Sequence, residues 1–262
     1  MNELRKELVY VDDDPVRKGS VPIMKRVLMF MLVLCLLPTL ALAEDNCPRC
    51  GGSSDLCLTD EVGAVYCSGT LVLYPEDATI TSYTVREGTT TIGEWAFSDN
   101  YVLEEIILPE GVVMIGTGAF EGRYNLKRVV LPDSLLIFGK MACYYCPALE
   151  GIELPPNLYA IGPSAFADNW MMTTIDIPET VCYIGSEAFC NTGLTEVWLR
   201  PIDFEMGYTI FTPNEQFSKA RPLTIHVSEE MLYDEVGNLW HFIDEYESGY
   251  NVTFVYDVPY LD

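Results

Sequence analysis

The residues best suited to chemistry gather near one end. Cys47, Cys50, Cys57 and Cys67 open with Cys47-Pro48-Arg49-Cys50-Gly51. Two thiols separated by two residues suit a zinc knuckle, a disulfide framework or a redox pair. A zinc ribbon needs a second Cys-x-x-Cys, and Cys57 and Cys67 stand ten apart. The expectation is two disulfides among the four. One zinc or a redox Cys-x-x-Cys are the alternatives, although no thioredoxin-like strand and helix pattern surrounds the motif. The only histidines, His226 and His241, lack metal-ligand spacing and read as structural or exposed. Gly162-Pro163-Ser164-Ala165 is not a nucleophile elbow. No phosphate-cradling glycine loop with a lysine occurs, and no calcium loop. No cofactor, metal site or catalytic residue is therefore expected. Counting alone leaves a carboxylate pair for glycan hydrolysis open, since Asp and Glu number 39, but no spacing places two of them around a pocket.

Those carboxylates face only 15 Lys and Arg, for a net charge of -24. Sequence-independent nucleic-acid binding is not expected, because phosphates require cations to displace their counterions. Anionic lipid is disfavoured for the same reason. Hydrophobic residues make up 49% and aromatic ones 12%, enough for a packed core.

The frame behind these side chains is a repeat. An apolar-Gly pair recurs at Ile92-Gly93, Ile115-Gly116, Phe138-Gly139, Ile161-Gly162 and Ile184-Gly185, in steps of 23. Ala follows each Gly by three: Ala96-Phe97, Ala119-Phe120, Ala142-Cys143, Ala165-Phe166 and Ala188-Phe189. Strand-like ends keep the step at Leu108-Pro109, Leu131-Pro132, Leu154-Pro155 and Ile177-Pro178, before Leu199-Arg200 arrives one residue early. A unit this short cannot bury its own apolar residues, but stacked units align them into one core. Leu103 to Leu108 shows the strand: Leu103, Ile106 and Leu108 point inward, Glu105 and Ile107 outward. Equivalent strands are expected at 126–131, 149–154, 172–177 and 194–199. Ala-Phe reads as a tight helical or 3₁₀ turn, with the preceding Gly suited to a corner.

The pattern apolar-x-x-Ile-Gly-x-x-Ala-Phe, then Leu-x-x-Ile-x-Leu-Pro, resembles the BspA-like, bacterial surface antigen type of leucine-rich repeat over about residues 80–200. The resemblance implies a right-handed solenoid with a parallel sheet on one face, secreted or surface-exposed, engaged in adhesion and partner binding and not enzymatic. Cys143 departs from it by replacing the aromatic. The fifth repeat loses a residue at Cys190-Asn191-Thr192-Gly193-Leu194, which should bend or end the array. Cys143, Cys146, Cys182 and Cys190 read as buried thiols, since two turns separate the later pair from the earlier one, beyond disulfide reach at about 4.8 Å per turn. A local Cys143–Cys146 bridge is the alternative.

Five segments follow. Met24-Lys25-Arg26, the apolar run from Val27 and Ala41-Leu42-Ala43 have the layout of a secretory signal peptide over 24–43, with residues 1–23 as a non-native extension and Met24 as the true start. The apolar stretch is interrupted by Pro38 and is short for a membrane span. Residues 44–79 form a Cys-rich N-terminal cap and 80–200 the solenoid. Residues 201–262 form a C-terminal cap: a strand at 222–227, an amphipathic helix from Ser228 through Ile243, and a strand at 252–256. The sequon Asn251-Val252-Thr253 carries little weight. The fold class is thus a mostly β repeat solenoid with short helical or 3₁₀ turns and a cap at each end.

With no catalytic constellation, the surface must act. One outward column reads Glu105, Arg128, Gly151, Thr174, Glu196; the next reads Ile107, Val130, Glu153, Asp176, Trp198. The Ile107–Val130 patch and Trp198 are the expected contacts for a protein or glycan partner outside the cell. The competing reading has these side chains merely covering a sheet, with Trp198 under the C-terminal cap. A structural envelope component without a specific ligand, or a carboxylate hydrolase, are the other functional readings.

Overall fold

The computed structural model describes residues 57–98, 100–201, 204–212, 222–228, 252–256 and 258. Strands β1 (Cys57–Thr59) and β2 (Val65–Cys67) form an antiparallel hairpin, and β3 (Thr70–Leu73) pairs antiparallel with β2. From β3 onward every pairing is parallel. β3 leads into two-residue strands: β5 (Thr91–Ile92), β7 (Met114–Ile115), β9 (Ile137–Phe138), β10 (Ala160–Ile161), β12 (Tyr183–Ile184) and β14 (Glu205–Met206). With β1 and β2 they make a nine-stranded sheet. A second set holds β4 (Ser82–Thr84), β6 (Glu105–Ile107) and β8 (Arg128–Val130). A third holds β11 (Thr174–Ile177), β13 (Glu196–Leu199), β15 (Leu223–Val227) and β16 (Val252–Tyr256).

The inward columns are those the repeat dictates. Leu103, Ile106 and Leu108 are buried, as are Leu126, Val129, Leu149, Met172, Ile175 and Ile177 in later turns. Ile92, Ile115, Phe138, Ile161 and Ile184 form a second buried column, and the Ala-Phe pairs a third. Rings of the Phe column pack on one another: Phe97 against Phe120 at 5.2 Å, tilted by 40°, and Phe166 stacked on Phe189 at 5.3 Å. Cys143 leaves a gap between them. Phe138, standing where other turns carry Ile, fills it, with its ring 4.5 Å from that of Phe166. The loss at one inward position is thus offset at another within the same turn.

Five features differ from the sequence reading. The longest parallel ladder lies at the apolar-Gly pairs, not at the Leu-rich segments. Two residues with one outward side chain carry too little alternation to announce a strand. At 149–154 no strand forms, and the Leu-rich ladder is split there. Gly151 stands in that gap, with no side chain to pair across the turn.

The apolar-Gly glycines, third, serve close approach and not a left-handed turn. A Cβ on Gly139 would lie 2.5 Å from the carbonyl oxygen of Ile115, and one on Gly162 2.5 Å from the amide of Lys140. The left-handed positions come two residues later, at Trp95, Gly118, Met141, Ser164, Glu187 and Thr209, and only Gly118 there is glycine. Fourth, the Ala-Phe corner is a pair of turns closed by i→i−3 bonds, such as Ala165 N to Gly162 O (3.2 Å) and Ala167 N to Ser164 O (3.2 Å), and no helix occurs among the described residues. Fifth, the missing residue near 191 does not end the array. β11 pairs with β13 across a 22-residue step, and β13 continues to β15 and β16.

A buried polar column closes the turn after each corner. Asn100 Nδ2 donates to the Ala78 carbonyl (2.9 Å), while its Oδ1 accepts from Val102 N (3.0 Å). One turn on, Arg123 donates to the Ser98 and Asn100 carbonyls and, through Nε, to Glu121 O at 2.9 Å. Cys146 Sγ donates to Phe120 O (3.1 Å), and Asn169 Nδ2 to Cys143 O (2.9 Å). Orphan corner carbonyls would otherwise be stranded in the core, so each turn supplies its own donor.

Candidate binding surface

The cysteines divide. Cys57 and Cys67 face one another across β1 and β2 and form a disulfide, Cα to Cα 4.2 Å. A thiolate zinc site using this pair is not compatible with that bond. Cys47 and Cys50 lie outside the described residues, as do the leader, His241, the segment expected as a cap helix and Asn251. Cys143 and Cys146 are buried thiols with no bridge between them. Burial, and then the neighbouring Cys146, push the Cys143 thiol well above its ordinary range. Burial pushes Cys190 up to about 11, with Glu187 and Asp168 adding to it. Thiols held protonated are poor nucleophiles. No cluster of three or more metal-binding side chains occurs among the described residues.

The outward columns emerge in register. β6 and β8 place Glu105 beside Arg128 and Ile107 beside Val130. β11 and β13 place Thr174 beside Glu196 and Asp176 beside Trp198. The two halves belong to separate sheets, and Gly151 and exposed Glu153 lie between them without strand pairing. Much of the surface is already engaged with itself. Glu105 accepts from Ser82 Oγ (2.9 Å) and pairs with Arg128 at 3.3 Å. Asp176 takes a two-pronged bond from Arg200, at 2.6 and 2.8 Å. Trp198 stacks on His226 of β15, rings 4.9 Å apart and 8° from parallel. Exposed ion pairs of this kind contribute about 0–1 kcal/mol, so they organise the surface more than they stabilise it.

Two further surfaces escaped the sequence reading. The nine-stranded sheet presents half-buried apolar columns, Val113, Leu136, Tyr159 beside Met114, Ile137, Tyr183. The other is a ring row at the corner beyond the Ala-Phe turns. Tyr101, Tyr124 and Trp170 are 54%, 48% and 40% exposed. Tyr145 joins them, 5.3 Å from Tyr124 and 5.5 Å from Trp170. Tyr101, Tyr124 and Trp170 are spaced by 23 and 46 residues, so the period was the signal that could have exposed the row.

At the N-terminal end Tyr83 Oη donates to Asp60 Oδ2 (2.5 Å) and bonds to the Tyr66 hydroxyl. Asp60 Oδ1 also accepts from Val62 N and Ala64 N, fixing the hairpin loop. Tyr74 packs on Phe97 at 5.1 Å, and its buried hydroxyl makes no hydrogen bond. Burial, then the charge of Asp60, raise its pKa to about 12.

The family described as "BspA type Leucine rich repeat region" matches residues 74–214, in 6 copies. No curated protein matches the chain. Among solved structures, the pneumococcal vaccine antigen PcpA is 17% identical, with a TM-score of 0.56, over 78% of this chain and 49% of that one. This chain therefore spans about half the length of PcpA, and the likeness is one of fold. A leucine-rich repeat protein of T. pallidum is 20% identical over 78% of this chain and 98% of its own, TM-score 0.47. A leucine rich cell surface protein of Faecalibacterium prausnitzii is 25% identical over 49% and 33%, TM-score 0.43. No described helix is long and apolar enough to cross a membrane. With its 23-residue turns, its Ala-Phe corners and a family match over more than half its length, the chain belongs to the BspA-type leucine-rich repeat proteins.

Proposed function

We propose that this chain is a secreted or cell-surface binding module, not an enzyme, which recognises a protein or glycan partner through the outward strand face. Glu105, Ile107, Arg128, Val130, Glu153, Thr174, Asp176, Glu196 and Trp198 would make the contacts. The observation that carries the reading is register: within each of the two sheets, parallel pairing places outward side chains of successive turns beside one another. An extended row suits a large partner better than a small substrate. The family is consistent with a binding or structural role, and the Cys57–Cys67 disulfide suits a compartment outside the cytoplasm. The boundaries 44–79, 80–200 and 201–262 serve as cap, solenoid and cap in this proposal.

A second reading, a structural envelope component, draws on the self-pairing of Glu105 with Arg128, Asp176 with Arg200 and Trp198 with His226. One experiment separates the two. Immobilised protein is challenged with extracellular-matrix components and with envelope material from the producing cell. Capture lost in an Ile107→Ala/Val130→Ala/Trp198→Ala variant supports the strand face; capture unchanged in that variant removes it. Activity in a glycan and peptide hydrolysis panel would overturn the non-enzymatic reading.

A further inference from the structure

The corner row lies apart from the strand face and has its own chemistry. Tyr101 and Tyr124 are nearly parallel, 24° apart with centroids at 6.3 Å. Tyr145 stands edge-on between Tyr124 and Trp170, at 84° and 83°. The exposed rings therefore do not form one flat plane. They present separately oriented faces. Exposed Val102 and Met171 border the two ends of the row.

A flat sugar chain stacks best on coplanar rings, and this row is broken by perpendicular ones. A planar cation needs only one ring face at a time. The chain already makes such a contact here: the Arg123 guanidinium carbon lies 4.5 Å from the centre of the Tyr101 ring. Carboxylates flank the same stretch. Asp168 hydrogen-bonds Tyr144, whose ring is 6.2 Å from Tyr145, and Glu121 acts on Tyr144 through its charge. Glu121 Oε2 is buried and makes no hydrogen bond. The Glu121 carboxylate already has Arg123 as its charged neighbour, so the attraction for an incoming cation comes from the exposed ring faces on a chain of net charge -24.

We propose that Tyr101, Tyr124 and Trp170, with Asp168 two residues before Trp170, form a docking surface for an arginine-bearing segment of a basic protein. Each guanidinium stacks on one ring face and directs its N–H groups toward carboxylate. Arginine is specified over lysine, because its planar fork both stacks and hydrogen-bonds. Regular turn spacing would let successive arginines of an extended segment take successive rings.

The test titrates the full-length protein with an arginine-rich oligopeptide, a lysine-rich one of equal length and a neutral β-linked oligosaccharide. The expected result is tighter binding of the arginine peptide. Tyr124→Ala/Trp170→Ala should weaken it about tenfold, as losing two cation–π contacts would. Tyr124→Phe/Trp170→Phe should retain it, since the ring faces remain, and this variant guards against misfolding of the alanine pair. Three outcomes overturn the proposal: equal binding of the two peptides, unchanged arginine-peptide binding in the alanine variant, or row-dependent binding of the oligosaccharide instead.

Discussion

At the scale of single residues, the N-terminal tyrosines show how burial sets pH response. Tyr74 is held protonated to about pH 12, against an ordinary value near 10. Its raised folded pKa means its contribution is fully present below pH 10 and lost as pH rises through 12. Unfolding in that window lets Tyr74 release its proton, so alkali favours the unfolded chain. Tyr74→Phe should reduce the alkaline fall in thermal midpoint. Below pH 10 it should be neutral or stabilising by up to about 1 kcal/mol, because a buried hydroxyl without a partner is removed. A pH series of melting curves on both proteins checks this; a steeper alkaline fall in the variant would contradict it. Glycines give the second contrast. Gly162→Ala meets backbone at 2.5 Å and should cost about 1–3 kcal/mol. Gly151 has nothing within 4 Å of a built Cβ and no left-handed torsion. Gly151→Thr should therefore stabilise by about 0.5–1 kcal/mol, with new amide protection between β8 and β11. Denaturant unfolding measures both signs.

At the scale of elements, each turn behaves as a volume to be filled. Cys143 and Phe138 exchange size within one turn, and Phe138 supplies the ring that packs on Phe166 from a different column. Phe138→Ala should cost about 3–5 kcal/mol. Cys143→Phe alone should overpack, at about 1–3 kcal/mol. The double variant Phe138→Ile/Cys143→Phe restores the majority pattern and should cost less than the sum of its parts; additive losses in a double-mutant cycle would show that the two sites do not share the space. The irregularity at Cys143 was legible in the sequence, and so was Phe138. Their connection was not, because it depends on how far a ring reaches across the core. The same limit hid the two-residue strands: a pattern of period 23 reports which residues align, not which backbone segments bond.

At the scale of the whole molecule, a stack of turns distributes stability along one axis, with each turn supported by its neighbours. The ends are the weak points. The Cys57–Cys67 bond ties β1 to β2 beside the first parallel strands, across a separation of 10 residues. Cys57→Ala/Cys67→Ala should lower stability by about 2–3 kcal/mol. Hydrogen exchange should quicken in β1 and β2 and stay slow in the central turns around Phe166. Uniform quickening would instead mean that the turns unfold as one cooperative block. Reductant should reproduce the effect in the unsubstituted protein and have none in the variant.

Sequence alone determined the period, the family resemblance, the inward columns and the absence of any recognisable catalytic constellation. These follow from residue type repeated at constant spacing, which is local information. Only the tertiary structure decided which segments carry the ladders, why the apolar-Gly glycines are needed, and that Cys57 bonds to Cys67. It also showed a second row: Tyr101, Tyr124 and Trp170 stand exposed at the corner, while on the strand face Glu105 pairs with Arg128, Asp176 with Arg200 and Trp198 with His226. A side chain's partners one turn away are set by stacking distance and ring orientation, and neither is written in the order of residues along the chain.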